Sequence, residues 1–595
     1  MGSGLRGLGA ALATSWRADR WRTAGVFTMS VTASLGAVVV AYWLKRLVDA
    51  AALGDENAAV AAAAGIGVTA GLAMLARTTV TAMMFPLKEN TGSYLERRII
   101  ELVAGIATME HHERPAYLDQ IEVLRYEAHT IGHAGVNTAG ALAVTVQVAV
   151  TGALLASVTP WLVLMPLFAI PSFWAGARAE RIRQQALDRS ADAARQARHL
   201  FELATSPAPG KELRVFGLGP ELLGRHRAAR REIDHCLDVA ARRGVLYTSA
   251  GWLLFTIGYA GAVALAANQA VQGRATVGDV VLALALVAQV NAQVGAAVQF
   301  VAALARTARV AGRYLWLVRY AVESRPRSPD PAPVPERLIH GIALHGVAFS
   351  YPGTDAEVLA DVDLVIPAGT TVAVVGDNGA GKSTLVKLLC RFYEPTRGVI
   401  TVDGTDLRRI DVDGWRAQTS AGFQDFARLE LAARQAVGVG DLPLIDDEIA
   451  VTAALDRAAS FDVVAALPEG LGTQLGSSFD AGIELSGGQW QKLAVARAMM
   501  RPGPLLLVLD EPTAALDADT EHALFARYAA AATRAAARNG AVTVLVSHRF
   551  STVRMAALIV VVDGGRIAEA GSHAELVAKG GLYAELYELQ AKSYR

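Results

Sequence analysis

Gly376-Asp377-Asn378-Gly379-Ala380-Gly381-Lys382-Ser383-Thr384 fits the spacing G-x-x-x-x-G-K-[ST] at every fixed place. Glycines there let backbone N–H groups wrap closely around an anion, and a helix N-terminus adds positive potential. The apolar run Thr371 to Val375 precedes the loop and reads as a buried strand. Leu385 to Leu389 follows and reads as the start of a helix. That strand–loop–helix context is what a phosphate-binding loop requires. Lys382 is then placed to reach the β- and γ-phosphates of a nucleotide, and the Ser383 hydroxyl to hold Mg²⁺. Gly376, Asn378, Gly379, Gly381 and Thr384 complete the cradle.

A second piece of the same chemistry lies at Leu505-Leu506-Leu507-Val508-Leu509-Asp510-Glu511. Unbroken apolar residues suggest a strand buried on both faces of a parallel sheet. Two carboxylates emerge at its C-terminal end, where open α/β sheets bind their ligands. Asp510 suits the metal shell. Glu511 suits the general base, because a metal-bound carboxylate keeps little basicity. The plainer reading is a carboxylate pair that only caps the next helix.

Leu485-Ser486-Gly487-Gly488-Gln489 opens a second helical segment. It resembles the signature motif of ATP-binding cassette (ABC) ATPases. In that family the loop touches the γ-phosphate of ATP held by another cassette, so the resemblance implies that Ser486, Gly487, Gly488 and Gln489 bind nucleotide across a dimer. The plainer reading is a serine N-cap followed by a flexible glycine pair. Further elements occur in family order. Tyr351 resembles the aromatic that stacks on adenine, Gln424 the glutamine that contacts Mg²⁺ and the transport domain, Asp517 the D-loop aspartate, and His548 the histidine at the γ-phosphate. Two departures are mild: Trp490-Gln491-Lys492 follows the signature where arginine is frequent, and no proline turn follows Gln424. The loop before the signature carries Asp480 where a glutamate is expected.

The elements upstream must anchor that machinery. The chain has 595 residues and 53% are AVILMFWYC, with a mean hydropathy of +0.31. A spanning helix needs about 20 apolar residues. Candidates are 24–44, 58–84, 135–158, 161–178, 245–271 and 277–302. Arginine and lysine concentrate before the first span, in 85–134, in 179–244 and after the sixth, which places the N-terminus, both long loops and the cassette in the cytoplasm. Both loops are rich in Ala, Arg, Leu and Glu and read as helical. Six spans, long extensions after the second and fourth, and a fused cassette resemble a type IV ABC exporter half-transporter. By that resemblance, short coupling helices lie near 111–121 and 204–216.

The expected architecture is therefore a six-helix transmembrane domain over 1–325, a proline-rich linker over 326–337 and an α/β P-loop ABC ATPase over 338–595. The formal net charge is +0 and no basic tail is present, so nucleic acid is not indicated as a partner. Cys236 and Cys390 are too few for a disulfide framework. No signal peptide is read before the first span. The resemblance implies ATP and Mg²⁺, a second and identical half-transporter as partner, and a lipid bilayer around the spans. It implies export of an amphipathic small molecule, natural product or peptide across a bacterial inner membrane. A heterodimer, or an importer of a metal chelate built on the same fold, is the alternative. Gln289, Asn291, Gln293 and Gln299 in the sixth span read either as interhelical hydrogen bonds or as the lining of a polar cavity.

Overall fold

The computed structural model describes residues 2–158, 161–162, 165–207, 209–325, 328, 330–511 and 518–593. They form two compact units: 1–104 with 119–320, and 105–118 with 321–595.

The first unit is helical. It opens with α1 (Gly2–Ala18), α2 (Arg20–Leu53) and α3 (Glu56–Ala104). The excursion 105–118 follows, with the one-turn helix α4 (Glu110–Glu113) and the first residues of α5 (Pro115–Gly132). The unit continues through α6 (Ala134–Val158), α7 (Met165–Arg189), α8 (Ala191–Thr205), α9 (Gly210–Val215), α10 (Gly219–Val271) and α11 (Val277–Glu323). Among the described residues, α2, α3, α6, α10 and α11 are long and apolar enough to cross a membrane. The expected fourth span, 161–178, falls across the start of α7, and 159–160 and 163–164 lie outside the described residues. Hydropathy gives no element before the first span, yet α1 fills that stretch with small and apolar residues. The short helices α4 and α9 fall within or beside the two stretches expected to hold coupling helices.

The second unit carries two sheets. A four-stranded antiparallel sheet has the order β2-β1-β4-β5, from β1 (Gly341–Ser350), β2 (Glu357–Pro367), β4 (Arg397–Val402) and β5 (Thr405–Asp406). A six-stranded sheet has the order β10-β9-β3-β8-β7-β6. Its members are β3 (Thr371–Val375), β6 (Thr419–Gly422), β7 (Leu506–Asp510), β8 (Val542–Val546), β9 (Leu558–Asp563) and β10 (Arg566–Gly571). All but β10 run parallel. Every residue of β7 and β8 is buried, as an unbroken apolar run in a parallel sheet requires. Each such Leu or Val stabilises the fold by about 1.5–3 kcal/mol.

Helix α12 (Lys382–Leu389) begins at the end of the loop that leaves β3. Four short helices come next: α13 (Val412–Ala417), α14 (Ala433–Gly438), α15 (Glu448–Arg457) and α16 (Phe461–Ala465). Helix α17 (Gly487–Ala498) then packs on the β6–β7 side of the larger sheet. Its Leu493, Val495 and Ala496 share one core with Leu507 and Leu509.

Candidate active site

The register of the parallel sheet does the positioning. β3 pairs with β8 up to Val374 opposite Val546, and β8 pairs with β7 up to Val546 opposite Asp510. Three strands thus end level, and the loops that follow them share one edge. The phosphate loop follows β3, Glu511 follows β7 and His548 follows β8. Gln424 follows the neighbouring strand β6 and is exposed. This is where a doubly wound sheet places its ligand.

The phosphate loop takes backbone shapes that only glycine adopts easily. Gly376 has φ +148° and Gly381 has φ +106°. A Cβ on Gly376 would sit 2.1 Å from the carbonyl oxygen of Val562, so β9 excludes any side chain there. Gly379 also has positive φ, while open space surrounds it. Lys382 folds back over the loop, and its Nζ donates to the carbonyls of Gly376 at 2.8 Å and Asp377 at 2.9 Å. It is thereby held at the rim of the cradle. Thr384 Oγ1 lies 3.0 Å from the hydroxyl of Tyr351.

Asp510 is buried and its carboxyl is pushed up to about 6. Burial is the largest cause, followed by the negative charges of Glu511 and Asp425; Lys382 and a hydrogen bond from Ser383 pull the other way. A carboxylate in that setting has excess negative charge beside a serine hydroxyl, which suits a divalent cation that also takes phosphate oxygens. Among the described residues no group of three His, Cys, Asp or Glu side chains forms a protein-only metal cage. The donor set fits Mg²⁺ held jointly with a nucleotide, through Ser383 and Asp510.

Glu511 is one of five non-glycine residues with positive φ among the described residues, at +47°. Strain of that kind costs about 1–3 kcal/mol and persists only where surroundings impose it. Here they do: Glu511 N–H donates to Val546 O at 2.9 Å, and Gln491 Nε2 donates to Glu511 O at 3.2 Å. The Glu511 carboxylate lies 3.1 Å from His548 Nδ1. The strained turn ends the strand at Asp510 and leaves the next carboxylate beside His548. Gln491 is a positioning residue that motif reading passes over, since its target lies twenty residues along the chain.

The signature residues sit at the start of α17. Ser486 Oγ accepts from Gln489 N–H at 3.3 Å, and Gln489 Oε1 accepts from Ser486 N–H at 2.9 Å. The plainer reading, an N-cap, is therefore present as a reciprocal capping box. Gly487 faces open space. Asp517 lies outside the described residues.

Tyr351 belongs to a further network that motif reading passes over. Lys387 Nζ lies 5.1 Å from the Tyr351 ring centre and donates to its hydroxyl at 3.3 Å. The same ammonium donates to Glu113 of α4 at 2.6 Å. Tyr393 also donates to the Glu113 carboxylate. Burial alone would lower the Lys387 ammonium, but the Glu113 carboxylate and the Tyr351 hydroxyl outweigh it and hold it above the usual lysine range. Arg416 donates to the carbonyl of Ala107 at 2.5 Å. The excursion 105–118 is thus pinned beside the tyrosine at the nucleotide cradle.

Residues 359–514 match the family described as ABC transporter. A solved structure titled as a bacterial Atm1-family ABC exporter with ATP bound aligns over 96% of this chain and 98% of its own, with a TM-score of 0.78 and 24% identity. The chain carries an ABC transporter domain over 359–514 and has the fold of that exporter. Among curated relatives, a human mitochondrial potassium channel ATP-binding subunit is 42% identical over 262 residues, 43% of this chain and 34% of that protein. An ATP-dependent lipid A-core flippase of Thiobacillus denitrificans is 39% identical over 262 residues, 44% of this chain and 42% of its own length. The chain thus matches well under half the length of these relatives.

Proposed function

We propose that this ABC half-transporter hydrolyses ATP to export an amphipathic small molecule, natural product or peptide, as a dimer of identical chains in a bacterial cytoplasmic membrane. One observation carries the reading. Lys382, Ser383, Asp510, Glu511 and His548 converge on one edge of a parallel sheet, in a chain whose other unit holds helices apolar enough to cross a membrane.

The proposed roles join this geometry to the family resemblance of the motifs. Lys382 and the loop amides bind the β- and γ-phosphates, and Tyr351 stacks on adenine after leaving its contact with Thr384. Mg²⁺, held by Ser383 and supported by Asp510 and Gln424, offsets charge on the phosphates when bound. Glu511 takes a proton from water, and His548 orients it and the γ-phosphate. Ser486, Gly487, Gly488, Gln489 and Asp517 complete the site of the other chain. Relatives of comparable identity are a channel subunit and a lipid flippase, so identity at this level does not select the cargo.

The helical unit favours an amphipathic cargo. Gln289 Nε2 donates to the Ala37 carbonyl at 3.1 Å and Gln293 Nε2 to Thr151 Oγ1 at 2.9 Å, so both serve helix contacts. Gln299 instead lines a cavity of about 710 Å³ together with Glu180, Arg183, Thr248 and Trp252. The side chain of Asn291 lies outside the described residues. Export from a polar and aromatic cavity explains why only part of the polar set is used up between helices.

The test is ATPase stimulation by a ligand panel in lipid vesicles, with Glu511→Gln as control. Loss of a general base lowers turnover about 10²–10⁴-fold. A Glu511→Gln chain that turns over at the native rate sinks the assignment of the base. Movement of the stimulating ligand out of inverted vesicles would favour import on the same fold.

A further inference from the structure

Helices α7 and α10 run antiparallel and pack through small residues. A Cβ at Gly251 would lie 2.9 Å from Ser172, and one at Gly258 would lie 2.6 Å from Phe168. Toward the ends expected in the cytoplasm the pair is flanked by two grooves. One is the cavity that also includes Val294 and Gln299 of α11, where Arg183 is paired with Glu180 through bonds of 2.6 and 2.8 Å. The other, about 560 Å³, is lined by α7 and α10 alone. Its charged groups are Arg178, Arg189 and Arg243. No Asp or Glu lines it, and among the described residues none of the three arginines forms an ion pair. One face of the helix pair has its arginine neutralised and the other does not.

The groove lies at a distinctive depth. The fourth expected span ends at 178 and the fifth begins at 245, which on the membrane-crossing reading sets Arg178 and Arg243 at the membrane surface. Tyr247 lines the groove and meets the exposed Trp174 edge-on, with ring centres 6.5 Å apart. Amphipathic aromatics of this kind sit at headgroup level. Leu246, Leu253 and Ile257 continue one exposed apolar stripe of α10 into the span.

We propose that this groove binds the phosphate-bearing headgroup of an anionic lipid of the cytoplasmic leaflet, with the acyl chains along the Leu253–Ile257 stripe. The proposal rests on the membrane-crossing reading and not on the ATPase chemistry. Basic pockets between spanning helices on the cytoplasmic side bind anionic headgroups. Guanidinium groups offer a phosphate two parallel donors, which a hydrated surface lysine does not. Reach divides the three arginines. Arg178 and Arg189 are eleven residues apart on one helix, about 16 Å. A headgroup layer is about 5–8 Å deep. A single phosphodiester is held by Arg178 and Arg243, and Arg189 is met only by a longer headgroup with a second anionic group.

The experiment is native mass spectrometry of the full chain in detergent, titrated with dioleoyl phosphatidylglycerol or dioleoyl phosphatidylcholine, without nucleotide. The wild type should bind the glycerol lipid about tenfold or more tightly than the choline lipid. Arg178→Gln with Arg243→Gln should remove that preference, at about fivefold per arginine. Arg189→Gln alone should leave it intact. Arg230→Gln with Arg231→Gln, an equal loss of charge elsewhere on α10, is the control, and basal ATP hydrolysis confirms folding of every variant. The proposal is overturned if the control pair weakens binding as much, if both lipids bind alike, or if glycerol phosphate displaces the lipid at equal concentration. The last result would mark a site for free phosphate.

Discussion

Glu113→Gln tests how the excursion 105–118 is held. The carboxylate accepts from Lys387 Nζ at 2.6 Å and from the Tyr393 hydroxyl. Glutamine keeps the shape and an acceptor but removes the charge. Hydrogen bonds to charged groups contribute about 1.5–3 kcal/mol when buried. Here the side chains are 33% and 29% exposed, so solvent screening reduces the figure. A loss of about 1–2 kcal/mol is expected, or roughly a fivefold to thirtyfold fall in the docked-to-undocked ratio. The assay is amide hydrogen exchange of the full chain in lipid nanodiscs. Protection of 105–118 should drop by that factor, while β1 keeps its own. Lys387→Met should weaken the segment further, because it leaves the carboxylate with the Tyr393 hydroxyl but no cation. The two substitutions should be non-additive, since they remove one shared contact. The ammonium is held above the ordinary 10.5, so the lysine side of the pair stays intact from neutral pH upward and is lost only as pH climbs past that raised value. Unchanged protection at 105–118 in Glu113→Gln, or an equal loss in β1, would refute the reasoning.

Three further outcomes are expected. His111 in α4 is held down to about 4 by burial first and by His112 second. The unfolded segment therefore takes up a proton that the docked one does not as pH falls from about 6.5 toward 4, so protection of 105–118, corrected for intrinsic exchange, should fall over that window; a flat profile refutes it. Gly376→Ala should destabilise the cassette by at least about 3 kcal/mol, because the new Cβ meets a carbonyl at 2.1 Å at positive φ, whereas Gly487→Ala, with nothing within 4 Å, should change it by less than about 1 kcal/mol. Denaturant melts that rank the two the other way contradict the assignment. The Cys390 thiol is fully buried and pushed up to about 12 by that burial, so iodoacetamide at neutral pH should label Cys236 well before Cys390, as read by peptide mass mapping.

Much of the cassette was legible because its chemistry is local. A phosphate loop needs glycines at fixed spacing for backbone reasons, and the Asp510–Glu511 pair is announced by the apolar strand before it. Contacts between distant segments left no such trace. Gln491 is one polar residue on a mostly buried helix, and its bond to Glu511 depends on how α17 meets β7. Glu113 and Lys387 are 274 residues apart, and neither sits in a motif. The positive φ of Glu511 cannot be read from its type, since glutamate has no preference for that region. In the helical unit hydropathy located the long apolar helices but passed over α1, whose small residues and few buried positions give a weak signal. It placed the fourth span on a stretch that ends in the charged half of α7, where burial against α10 and burial in lipid favour the same small and apolar residues.

The capping box at Ser486 bears on whether one chain can complete a site. In a helix the first amides have no intrahelical acceptor. Ser486 Oγ takes the third of these, from Gln489, and Gln489 returns a bond to Ser486. That leaves the amides of Gly487 and Gly488 at the positive end of a twelve-residue helix. A side chain added at Gly487 would meet no atom within 4 Å beyond its own helix turn and chain neighbours. A capping serine and a phosphate-binding loop are therefore not competing readings of Leu485 to Gln489. The cap rigidifies the turn and leaves Gly487 at a helix end where an added side chain would meet nothing, a place that a phosphate held by another copy could use. This is the physical reason for reading the cassette as half of a shared site.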